Sequence, residues 1–82
     1  MSEAERVWID TPTQDAWILG EDVTGVSFRM CQPVKVVAGP NRGATGILIS
    51  LYALVPEPEF HLEAESGADI IVVQSQLRAA DA

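Results

Sequence analysis

A mainly β protein, folded as a small barrel or sandwich of about five short strands, is what this sequence predicts. Three observations predict it. Residues 33–38 set Val34 and Val36 against Lys35, and residues 59–65 alternate apolar with polar, the period of a half-buried strand, while residues 46–54 make a long aliphatic strand. Gly and Pro fall between these runs, where the chain has to turn. At 82 residues, 48% hydrophobic and 21% charged, the chain has the composition of one globular domain. A domain of that size buries about 60–65% of its unfolded surface, too little for two domains or a long active-site cleft.

Each element follows in order. Residues 7–10 read as a short strand. Thr11, Pro12 and Gln14 then spell a capping box, with Thr at N-cap, Pro at the first helical position and Gln at N3. Asp15 suits the first turn of a helix, and Gly20 suits its end in a left-handed conformation. A short helix over 12–19 is expected, in competition with a strand over 16–19. Two helical turns are not stable alone, so Trp17 or Ile18 has to dock on something. Val23, Val26 and Phe28 suggest a strand broken by Gly25. Residues 33–38 put Val34 and Val36 on one face and Lys35 on the other, with Pro33 at the start. Residues 39–43 are dense in turn formers. A long strand over 46–54 sets Ile47, Ile49 and Leu51 against Leu48, Ser50 and Tyr52, and Pro56 and Pro58 end it. Phe60, Leu62 and Ala64 then alternate with Glu59, His61, Glu63 and Glu65. Ser66-Gly67 turns the chain into a returning strand at 69–74, and residues 75–78 suggest a single helical turn. A two-residue turn would set Glu63 opposite Ile70 and His61 opposite Val72, mixing acidic and β-branched residues on one side. Either a longer turn shifts the register, or something covers Ile70 and Val72; the helix bearing Trp17 is the favoured cover and a partner protein the other.

The stretch from Val34 to Leu48 resembles the KOW motif: strand, loop, strand, with glycines at Gly39, Gly43 and Gly46. The spacing has a physical reason, since a tight reversal demands positive φ where only Gly is unpenalised. The resemblance covers residues 30–78 and implies an SH3-like barrel, with residues 1–29 as an N-terminal extension of a single domain spanning 1–82. It implies either a ribosome- or RNA-associated protein or, as in elongation factors, a protein-binding module. The loop departs from the RNA-gripping members, which crowd it with cations; here it offers Arg42, with Lys35 nearby.

Charge sorts the function classes further. The formal net charge is -7, divided as -5 over residues 1–22, +3 over 23–56 and -5 over 57–82. Overall acidity disfavours nucleic-acid backbone binding without excluding it. It also permits an acidic inhibitor or immunity-type protein that neutralises a basic partner. A single Cys offers no internal disulfide, and no apolar run is long enough for a membrane helix. The acidic first six residues lack the apolar core of a signal peptide, so a cytoplasmic protein is expected.

The remaining clusters favour plain roles. Glu59, His61, Glu63 and Glu65 lie about 6.5–7 Å apart along one strand face, too far to share an ion without help from another strand. Cys31 reads as a buried or half-buried thiol, His61 has no evident catalytic partner, and Trp8 and Trp17 read as core. The reading is a non-catalytic module without cofactor or metal, binding another protein; self-association stays open. Its expected contact residues are Arg29, Lys35, Asn41, Arg42 and Tyr52, with Leu48 and Tyr52 as an exposed pair on the long strand. Convergence of Arg29, Lys35 and Arg42 would favour the RNA reading.

Overall fold

The computed structural model describes residues 7–80, and the mainly β class holds. Strands β1 (Val7–Trp8), β2 (Pro33–Val36), β3 (Thr45–Val55), β4 (Glu59–Ala64), β5 (Asp69–Val73) and β6 (Leu77–Ala79) join helix α1 (Thr11–Ile18) and a 3-10 turn at Gln74–Gln76. Every strand pairing is antiparallel. The sheet runs β5-β4-β3-β2-β6, and β1 adds to β3. Hydrogen bonds do not close it into a complete barrel, because β5 and β6 remain its two ends.

Alternation explains the core. Val34 and Val36 of β2 and Phe60 and Leu62 of β4 are wholly buried, and Lys35 between the valines is exposed. Trp17 of α1 docks on them: its ring centroid is 5.8 Å from that of Phe60, and Phe28 meets Phe60 edge-on at 6.1 Å. Aromatic pairs prefer such tilted and T-shaped arrangements. Trp17 Nε1 donates to Phe28 O, which satisfies the one polar atom of a buried indole. The segment before β2 is thus part of the core rather than an appendage to it. The helix therefore covers the inner face at Phe60, not the acidic face that the sequence suggested it would cover.

The long strand departs from strict alternation. Leu48 and Leu51 are both fully buried, although they were expected on opposite faces. The β3·β4 register shifts between Leu48 and Ser50 and again between Leu51 and Ala53. A bulge inserts one residue and reverses the phase beyond it, so both sequence-derived faces are split. The β4–β5 turn is longer than two residues, with Ala64 N donating to Ala68 O. The register moves by one: Glu63 lies opposite Asp69, His61 opposite Ile71, and Phe60 opposite Val72. Val72 is thereby buried on the core face, and Ile71 takes its place beside His61 on the outer face, 49% exposed.

Four other expectations change. Asp10, not Thr11, is the N-cap, its Oδ1 accepting from Thr13 N at 2.8 Å. Gln14 leaves the capping role for β3. Gly20, at φ +85°, ends the helix as expected: Gly20 N donates to Trp17 O and Glu21 N to Ala16 O, the paired bonds of a Schellman motif. Residues 23–28 are irregular rather than a strand, because a turn from Val26 N to Val23 O and the side chain of Gln74 take their backbone bonds. Trp8 is 62% exposed. At the far end, Gln74 N donates to Pro58 O. Antiparallel alternation then turns the Val73 N–H away from β4, where Gln76 Oε1 accepts it at 3.2 Å.

Candidate interaction surface

The outer face is assembled by the register. Residues directly opposite one another share a face. One row across the sheet is Arg78, Lys35 and Thr45, continued by Glu65, whose N–H bonds Thr45 O. The next is Pro33, Ile47, Glu63 and Asp69. A third is Ser50, His61 and Ile71. Arg42 joins the basic end, since it lines a shallow cleft with Lys35, Val37 and Gly43. The face is therefore divided along β3. Cations lie on the β2–β6 side, acids on the β4–β5 side, and half-buried Thr45 and Ile47 between. Neighbouring strands are about 4.8 Å apart, so Lys35 and Glu65 are separated by about 10 Å. Among the described residues, the side chains of Lys35, Arg42, Arg78, Glu63 and Glu65 make no ion pair or hydrogen bond with one another or with other side chains.

The loop that carries Arg42 is held from behind. Gly39 and Gly43 have φ of +87° and +98°, and a Cβ at Gly39 would meet the Gln76 side-chain amide at 2.4 Å. Val37 N donates to Gln76 O, which ties the same loop to the 3-10 turn. Gly43 N and Val36 N close the base by bonding Val36 O and Ala44 O.

Of the expected contact residues, Lys35 and Arg42 come together, and Asn41 is half-buried beside Arg42 with its carbonyl accepting from Ala44 N. Arg29 stands apart: its guanidinium bonds Asp22 Oδ1 and Gly20 O, and its charge is locally neutralised. Leu48 is core, so the proposed exposed Leu48–Tyr52 pair does not exist. Tyr52 is half-buried, and its hydroxyl lies 2.8 Å from His61 Nδ1. His61 Nε2 is 3.1 Å from Asp69 Oδ1, close enough for an ion pair on protonation but off the line that a hydrogen bond needs. Cys31 is exposed rather than buried, held at φ 63° by the bond from its N–H to Leu48 O. The Glu57 carboxylate accepts from the Ser75 N–H and hydroxyl at 2.7 and 2.9 Å.

Arg78, Glu63 and Glu65 as one divided face with Lys35 escaped the sequence reading. The signal existed in Leu77-Arg78-Ala79, but using it requires knowing that this segment pairs with Pro33–Val36. No helix among the described residues is long and apolar enough to cross a membrane. Comparison with protein-family models, curated proteins and solved structures finds no match to the chain.

Proposed function

We propose that this chain is a non-catalytic interaction module that binds another protein on the outer face of its sheet, in the cytoplasm. The observation that carries the reading is the divided face itself: unpaired cations and unpaired acids flanking the half-buried apolar residue Ile47 and exposed Pro33. Like charges directly opposite on neighbouring strands oppose folding, and Lys35 opposite Arg78 is such a pair. A partner supplying carboxylates there and cations opposite Glu63 and Glu65 would relieve it. The resemblance of residues 34–48 to the KOW strand-loop-strand supports a binding role, and the scarcity of loop cations favours protein over RNA.

Photo-crosslinking tests this. A crosslinking side chain placed at Ile47 is expected to give discrete protein adducts in cells. The same group at Thr24, exposed in the irregular segment before β2 and outside the rows of that face, is expected to give few. Equal labelling from both positions, or none, would remove the proposal.

The cluster of Lys35, Arg42 and Arg78 favours one other reading, an RNA-associated KOW-type protein. Three phosphate contacts predict a log–log salt slope of about -2 to -3. Titration with RNA at two salt concentrations separates the readings.

A further inference from the structure

The divided face is complementary to itself. Rotating a second molecule by half a turn about an axis parallel to β3 sets Lys35 of one copy over Glu65 of the other, twice, and leaves Arg78 about 5 Å to the side of Glu65 and Glu63 about 7 Å along the strand from Lys35, within reach of long side chains. The same rotation brings Ile47 against Ile47 at the axis. We propose that a second copy of this chain docks on the outer sheet face, as an isologous dimer. The inference rests on reading that face as a contact surface, and it names the occupant.

Three features carry it. The four charged positions have no intramolecular partners among the described residues. The signs are segregated by strand, cations on β2 and β6 and acids at β4 and its following turn, so the match needs no rearrangement. Thr45 and Ile47 are half-exposed at the divide and can be dehydrated by the second copy. A closed two-fold contact of this kind uses the same patch on both copies.

Magnitudes decide how tight it is. The face spans four strand spacings, about 19 Å, which places it among small, transient interfaces rather than obligate ones. Each copy carries -7. At long range the copies repel, while the matched charges attract only on contact. Salt at about 0.15 M screens beyond about 8 Å and suppresses the repulsion first. Self-association is therefore expected to pass through a maximum at intermediate salt. A purely apolar contact would strengthen steadily with salt.

Sedimentation equilibrium of the full chain, up to about 1 mM, tests the proposal. The weight-average mass should rise from 8.8 kDa toward twice that value. The double variant Lys35→Glu/Arg78→Glu should weaken association at least tenfold, and so should Glu63→Lys/Glu65→Lys. Mixing the two variants should restore it as a heterodimer, which also shows that both are folded. A wild-type chain that stays at 8.8 kDa throughout, or a mixture that fails to associate, would overturn self-docking. Discrete adducts of other proteins at Ile47 would meanwhile leave the contact surface standing.

Discussion

The side-chain amide of Gln14 pairs with both backbone groups of Leu51: Nε2 donates to Leu51 O, and Oε1 accepts from Leu51 N at 3.2 Å. A helix residue thus completes the hydrogen bonding of β3 where the bulges interrupt it. The other three glutamines act alike, with Gln32 Oε1 accepting from Arg29 N, Gln74 from Ser27 N and Gln76 from Val73 N.

Gln14→Leu keeps the bulk and abandons both Leu51 groups. An orphaned, partly buried backbone group costs about 1–3 kcal/mol. Urea unfolding should therefore show a loss of about 2 kcal/mol. In a domain of this size that lowers Tm by about 8–16 °C. An unchanged midpoint would show that water replaces the amide without loss.

Gln74 bridges an irregular segment, donating to Gly25 O and accepting from Ser27 N. Both bonds are exposed, so Gln74→Ala should cost only about 0.5–1.5 kcal/mol globally. The local effect is larger. Hydrogen exchange at the Ser27 amide should accelerate by tenfold or more, while exchange at Leu62 in the centre of β4 follows only the global loss.

Gly46 is needed for space rather than for dihedral freedom. A Cβ there would lie 2.1 Å from Glu63 O and 2.8 Å from Ala64 Cα, both backbone atoms of β4. Gly46→Ala should cost about 3 kcal/mol or more by forcing β3 and β4 apart. Gly67 has φ +94° and open surroundings. Gly67→Ala should cost about 1–2 kcal/mol, the backbone term alone. Equal losses in thermal melts would contradict the distinction.

The Asp10 carboxyl is held below the ordinary carboxylate range, first by the Thr13 hydroxyl and second by the Thr13 N–H. Its folded value lies below its unfolded one, so its contribution is present above pH about 4. That contribution is lost as pH falls through the lowered value. Asp10→Asn keeps the cap and should remove this part of the acid destabilisation. The test is the pH dependence of Tm between about 2 and 5: a slope the same as wild type would refute the assignment.

Strands β2 and β4 were legible because alternation reports burial directly, and Val34, Val36, Phe60 and Leu62 are where it placed them; β5 was legible only as a continuous aliphatic run, whose faces depend on the length of the preceding turn. The phase reversal of β3 between Leu48 and Leu51 was not legible, since a bulge is set by the partner strand and leaves no mark in Ile47–Tyr52 itself. Residues 23–28 carry the aliphatics of a strand, yet the acceptor and donor that claim them belong to Gln74, about fifty positions away. Half of the candidate surface was visible: Lys35 and Arg42 stand out in a stretch without acids. Arg78 did not, because its meaning depends on which strand its segment joins.

One detail at the outermost strand governs how copies of this chain meet unintentionally. Ile70, Ile71, Val72 and Val73 form an aliphatic run of the kind that templates stacking into fibres. By occupying the Val73 N–H, Gln76 shortens the unguarded border to the stretch beside Ile71 and Asp69, and the carboxylate at its tip repels a like copy in register. A side chain spent on a single amide thus leaves one fewer open donor on that border for another chain to pair with.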